Sequence, residues 1–125
     1  MSIRPLVARF AIAATMGLLV LAAACGDDST PAPSPTPSAD VTITILGNRG
    51  NQSYSPNPQT VRVGQTVAWR NGDSAAHTST QDTVGFNTGN IAGSATSSPI
   101  TMSAAGTFPY HCAIHPSMVG TITVQ

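Results

Sequence analysis

A two-sheet antiparallel β-sandwich is the fold that the sequence predicts for residues 40–125, and three observations predict it. Apolar residues alternate with polar ones in short runs, the period of a strand with one buried face. Glycine and proline break these runs at short intervals, at Gly47, Gly50, Pro56, Pro58, Gly64, Gly72 and Gly106. No stretch of the length of an ordinary helix holds a 3.6-residue period. Taken in order, Val41-Thr42-Ile43-Thr44-Ile45 alternates cleanly, Val61 and Val63 flank Arg62, and Val67 and Trp69 flank Ala68. Phe108, Tyr110 and Cys112 share one face of the next run, and Ile122 and Val124 one face of the last. Short strands of this kind bury their apolar faces by packing as two sheets. Pro109 cannot donate to a ladder, so its strand is expected at an edge or bulged at that point. Residues 94–98 read as loop, and Met102 reads as core.

The chain has 125 residues, with five basic residues, all Arg, against five acidic ones, for a formal charge of zero. No basic stripe exists to neutralise phosphates, which excludes a nucleic-acid partner. The length suits one domain with appendages. Arg4 and Arg9 precede an uncharged, largely apolar stretch over residues 10–24, which ends in Leu21-Ala22-Ala23-Ala24. A basic start, an apolar middle and small residues before the cut are the layout of a secretory signal. The stretch falls short of the roughly 20 apolar residues that a bilayer span needs.

Cys25 follows the small residues directly and precedes Gly26-Asp27-Asp28. Leu21-Ala22-Ala23-Ala24-Cys25 resembles the lipobox of bacterial lipoproteins, with the leucine four places before the cysteine. The resemblance implies lipidation at Cys25, where each buried CH₂ of an acyl chain contributes about 0.8 kcal/mol of membrane binding. Residues 30–38 then read T-P-A-P-S-P-T-P-S. Alternate prolines remove amide donors and favour an extended, polyproline-like spacer. The expected organisation is a lipoprotein-type signal peptide over residues 1–24, a lipidated N-terminus and Pro-rich linker over 25–39, and the sandwich domain over 40–125. The expected location is exported, in the periplasm or on the outer cell surface, anchored to a bacterial membrane through Cys25. Asn51-Gln52-Ser53 matches a glycosylation sequon, whose use is not expected on a lipoprotein.

The chemistry gathers near the C-terminus, where Phe108-Pro109-Tyr110-His111-Cys112-Ala113-Ile114-His115-Pro116-Ser117-Met118 places cysteine, histidine and methionine three residues apart. A free thiol outside the cytoplasm is consumed by oxidation or exchange unless something occupies it. Cys112 has no partner cysteine in the domain. Thiolate, imidazole and thioether on one loop suit a soft or borderline metal, with copper ahead of zinc, calcium or magnesium. His77, in the loop after the Val67–Trp69 run, is the best candidate for a second imidazole.

At these residues the sequence resembles the cupredoxins, the small blue copper proteins, and within them amicyanin and the plastocyanins. The resemblance covers most of residues 41–125. It rests on Trp69-x-Asn71 followed by His77, on Gly106-x-Phe108-x-Tyr110-His111-Cys112, on Cys112-x₂-His115-x₂-Met118 and on Gly120-x-Ile122-x-Val124. It implies Greek-key connections and one type 1 copper, with His77, Cys112 and His115 as equatorial ligands and Met118 as the long axial one. A rigid sandwich carrying such ligands keeps the site unchanged between Cu(II) and Cu(I). Asn71 matches a loop-bracing position of the family. Residue 78 is Thr where amicyanin and plastocyanin carry an Asn that pins the ligand loops, and the Thr78 hydroxyl is expected to replace it.

The function that the resemblance implies is extracytoplasmic electron transfer by a Cu(II)/Cu(I) cycle. The expected partners are redox proteins such as c-type cytochromes or membrane electron-transfer complexes, met by a monomer. His115 is expected nearest solvent, as the electron's port. With Arg49, Arg62 and Arg70 balancing Asp40, Asp73 and Asp82, steering is weak, and docking is expected on an apolar patch of Ile114, Pro116 and Met118. An alternative keeps the site but makes the chain a copper-binding and delivery lipoprotein at the cell surface. A third reading is a metal-free, immunoglobulin-like surface lipoprotein. No nucleophile–base pair and no second metal site point to an enzyme. His111 is the residue that in copper nitrite reductases binds a second, catalytic copper. Those enzymes use two such domains per chain, and on a strand His111 points away from Cys112, which implies a structural or electron-path role.

Overall fold

The computed structural model describes residues 38–125. The expected signal peptide, the lipidation site Cys25 and nearly all of the Pro-rich linker lie outside the described residues. The strands are β1 (Val41–Ile45), β2 (Tyr54–Ser55), β3 (Gln59–Val61), β4 (Thr66–Asn71), β5 (Thr80–Gln81), β6 (Ile100–Thr101), β7 (Gly106–His111) and β8 (Val119–Val124). A single 3₁₀ turn at Gly50–Gln52 is the helical content of the described residues. One sheet has the order β2-β1-β4-β6 and the other β3-β8-β7-β5.

The sandwich expected from alternation is present, but its sheets are mixed, not antiparallel. β1 runs parallel to β4, with Ile43 beside Trp69, and β3 runs parallel to β8, with Val61 beside Val124. Topology explains this. After the β1–β2 pair the chain crosses to the other sheet as β3 and returns as β4 alongside β1, and such a crossover leaves the two neighbours pointing the same way. The same excursion lays β3 parallel to the last strand.

Inward-facing side chains close the core. Ile43 and Ile45 of β1, Val67 and Trp69 of β4 and Ile122 of β8 are fully buried, and Met102 is core as expected. Tyr110 packs edge-on against Tyr54 with ring centroids 4.7 Å apart, and Trp69 stacks on Phe86 at 5.3 Å. Each buried large side chain contributes roughly 1.5–3 kcal/mol. β4 departs from strict alternation because Ala68 is also buried. The loop beyond Thr96 lies along that strand, and Ser97 exchanges hydrogen bonds with the backbone of Trp69.

β7 carries no bulge at Pro109 and is an inner strand of its sheet, yet Pro109 lies at a local edge, because β5 pairs only with Tyr110 and His111. β7 pairs residue for residue with β8, Pro109 opposite Thr121. The Pro109 carbonyl accepts the Asp82 N–H at 3.0 Å, so its missing donor faces β5, just past the end of that strand at Gln81. The loss falls where the ladder stops, and pairing with β8 is untouched.

Candidate metal centre

The segments that follow β4 and β7 bring His77, Cys112 and His115 together. β4 ends at Asn71, which is fully buried and ties down the loop that follows. Its amide donates to the carbonyls of Ala75 at 2.7 Å, Ile91 at 3.0 Å and Ala92 at 3.2 Å, while its oxygen accepts the Asp73 N–H at 2.9 Å. His77 is held further along by a two-way backbone bridge with Ile91. Its side chain is 1% exposed.

Cys112 follows β7 directly and is fully buried, its sulfur on the core side with Tyr110. The loop after it is short. Cys112 N–H donates to Met118 O at 3.0 Å, and Met118 N–H to His115 O at 2.9 Å, which folds residues 112–118 into a tight turn. His77 Nδ1 lies 3.8 Å and His115 Nδ1 3.9 Å from the Cys112 sulfur. One ligand atom from each of the three residues falls within 4.8 Å of the others, and this is the group that can hold a metal ion. His115 is half-buried where His77 and Cys112 are buried.

Thr78 touches both loops of the site. Its N–H donates to the Cys112 sulfur at 3.3 Å, and its hydroxyl accepts the Ala113 N–H at 2.8 Å. One residue thus joins the His77 loop to the Cys112 loop on both sides of the thiol. Tyr54 adds a further tie by donating to the Thr78 carbonyl at 2.7 Å.

These contacts set the proton affinities. Burial raises that of the Cys112 thiol, but the backbone N–H groups of Thr78 and His115 and the two imidazoles outweigh it and bring the value down to about 6. Burial disfavours protonation of His77, and the Asp73 carboxylate with the Cys112 sulfur overrides it, so its value is raised. Asp73 is held below the usual carboxylate range by its hydrogen bond to His77 and by the Ser74 N–H. A readily formed thiolate between two imidazole nitrogens is a donor set that fits a soft or borderline metal.

Met118 is fully buried within the same core cluster as Cys112. That position corrects one expectation: Met118 cannot belong to an exposed docking patch. Ala113, Ile114 and Pro116 flank His115 and are exposed. His111 projects from the opposite face of β7, as strand geometry requires, where its Nδ1 meets Asp82 Oδ1 at 2.6 Å. It takes no part in the His77, Cys112 and His115 group. Sequence reasoning missed Asp73, whose Oδ2 lies 2.8 Å from His77 Nε2. The available signal was an acidic residue four places before the histidine in the same loop.

The comparisons with known proteins agree with this geometry. The description of the matching family is a cupredoxin-like domain, and the match spans residues 11–124. A purple cupredoxin from Nitrosopumilus maritimus is 31% identical, with a TM-score of 0.62 over 69% of this chain and 100% of that one. A methionine-to-alanine variant of amicyanin in its Cu(I) form is 25% identical, with a TM-score of 0.62 over 73% of this chain and 87% of that one. A copper-containing nitrite reductase from Thermus scotoductus is 28% identical, with a TM-score of 0.59 over 68% of this chain and 22% of that one. No curated protein sequence matches the chain. With a family match over nearly its whole length, an all-β sandwich and a buried thiol between two histidines, the chain belongs to the cupredoxin-like family.

Proposed function

We propose that the chain is a blue copper electron carrier, in which His77, Cys112 and His115, together with Met118, would hold one copper. The carrying observation is the convergence of two imidazole Nδ1 atoms on a buried, free thiol, at 3.8 and 3.9 Å from its sulfur. Copper bound there would supply a one-electron Cu(II)/Cu(I) couple. The protein's part is to hold the ligands still. Asn71 fixes the His77 loop, Thr78 joins it to the Cys112 loop, and the Met118–His115 turn fixes the third ligand. Ligands already gathered and braced need little movement when the metal charge changes, which keeps the barrier to transfer low.

His115 is the port for the electron, since it is the one half-buried member of the set, and exposed Ala113, Ile114 and Pro116 surround it with apolar surface. A redox partner, such as a c-type cytochrome or a membrane complex, docks there weakly, as transient electron-transfer encounters do. The balanced charge of the domain leaves little long-range steering. The secretory layout of residues 1–24, the lipobox-like Cys25 and the Pro-rich segment before the domain support an exported carrier tethered to a membrane by its lipid. One such site among the described residues suits a carrier of single electrons.

Addition of Cu(II) to the apo protein is expected to produce an intense visible thiolate-to-copper band that disappears in Cys112→Ser. A colourless product refutes the site. Reversible voltammetry and rapid reduction by a cytochrome are expected of a carrier. Rapid loss of copper to an acceptor, with no reversible wave, would identify copper delivery instead. Export and lipidation are tested by mass spectrometry of the membrane fraction, in which the mature chain is expected to begin at an acylated Cys25.

A further inference from the structure

His77 and His115 approach the same sulfur from similar distances, yet the structure treats their far nitrogens differently. Nε2 of His115 has no hydrogen-bond partner among the described residues. Nε2 of His77 lies 2.8 Å from Asp73 Oδ2. An ionised carboxylate only accepts hydrogen bonds, so this nitrogen carries a proton, and Nδ1, facing Cys112, is the nitrogen left to hold a metal.

The carboxylate is itself aimed. The Asp73 N–H is held by the Asn71 oxygen at 2.9 Å, and Asp73 Oδ1 accepts the Ser74 N–H at 2.7 Å, which leaves Oδ2 turned to His77. Gly47, from the loop after β1, makes the room. A Cβ there would stand 3.1 Å from Asp73 Oδ2, and the backbone at φ +95° disfavours any side chain. Gly93 packs as tightly under the same turn, where a Cβ would meet the Ser74 carbonyl at 2.5 Å. Residues from three loops thus position one carboxylate on one histidine nitrogen.

We propose that Asp73 is a positioning residue for the copper centre: its carboxylate fixes the tautomer and ring orientation of His77 and favours Cu(II) over Cu(I) by its negative charge. The inference rests on the reading of His77 as a copper ligand. A carboxylate behind a metal-bound imidazole raises the basicity of the ligand, and outer partners of this kind change metal affinity by about 10–100-fold when removed. The Asp73 side chain is 32% exposed, so solvent screens its charge and the lower end of that range applies. An Asn at position 73 cannot replace it. Its one oxygen can accept either from Ser74 or from His77, and its NH₂ then faces the other donor.

The test has two arms. In the wild-type protein loaded with Cu(I), which is diamagnetic, nitrogen-edited NMR is expected to show a His77 Nε2–H protected from exchange; its absence overturns the proposal without any variant. In voltammetry of the copper-loaded proteins, Asp73→Asn is expected to shift the Cu(II)/Cu(I) affinity ratio about 10-fold toward Cu(I), a rise of about 59 mV for a one-electron couple, and Asp73→Glu to restore it. A structural role alone lowers stability in both variants and leaves the potential where it was, which overturns the proposal. Failure of the copper reading looks different: the wild type itself then shows no Cys112-dependent copper band.

Discussion

The Asn71 side chain makes four hydrogen bonds to the backbone around the His77 loop, and Asn71→Ala measures what they are worth. Two of its four partners keep another hydrogen bond: the Ile91 carbonyl retains the His77 N–H, and the Ala92 carbonyl retains the Ala95 N–H. The Ala75 carbonyl and the Asp73 N–H lose the partner that Asn71 provided. Each unsatisfied group costs about 1–3 kcal/mol, and both are only part-buried, so the low end applies. The expected loss is about 2 kcal/mol, with up to about 2 more from the space left by a fully buried side chain. For a domain of this size each kcal/mol is worth about 4–8 °C, so the apo protein should melt at least about 8 °C lower. Urea denaturation of apo wild type and variant provides the measurement. Copper binding should also weaken, because Asp73 and the His77 loop lose their brace together. A stability loss under about 0.5 kcal/mol would refute the reasoning that Asn71 carries the loop.

Other consequences are equally specific. Thr78→Val keeps the shape but strips the acceptor from the Ala113 N–H, and should cost about 1 kcal/mol in apo denaturation while Thr78→Ser costs less. Gly120→Ala places a Cβ into the Tyr110 ring, which the Trp69, Tyr54 and Phe86 rings hold in place, so overpacking of about 1–3 kcal/mol or more is expected in the same assay. The apo thiol should titrate, by thiolate ultraviolet absorbance, with a midpoint at about 6 against 9.0 for an ordinary cysteine, and a midpoint near 9 contradicts the hydrogen bonding described. Because the folded thiol releases its proton more readily than the unfolded one, its contribution to stability is full above pH 9.0 and is lost as pH falls through about 6. His77 works the other way: its raised value gives stability that is full below 6.5 and lost as pH rises through its folded value.

Legibility in the sequence followed how local each feature is. Cys112, His115 and Met118 could be read because soft donors three residues apart on one loop have few other uses, and strand alternation placed His111 on the opposite face. Strand direction could not be read, since alternation is the same for a parallel and an antiparallel neighbour; only the path through β3 decides it. Pro109 was legible as a missing donor but not as one whose loss falls beyond the end of β5. Met118 reads as surface when grouped with Ile114 and Pro116, and it is the backbone turn from Cys112 to Met118 that carries it inside. Asp73 was the least legible residue of the site. In a run of Gly, Asp, Ser and Ala it looks like turn chemistry, and its meaning depends on Gly47, which comes from another loop.

The central claim is that His77, Cys112 and His115 together hold one copper. X-ray absorption spectroscopy at the copper edge, on protein loaded with one equivalent of Cu(II), tests it directly. The expected spectrum has one short sulfur scatterer and two imidazole nitrogens, with the sulfur lost in Cys112→Ser and one imidazole lost in His77→Ala. A first shell of nitrogen and oxygen alone in the wild type would contradict it.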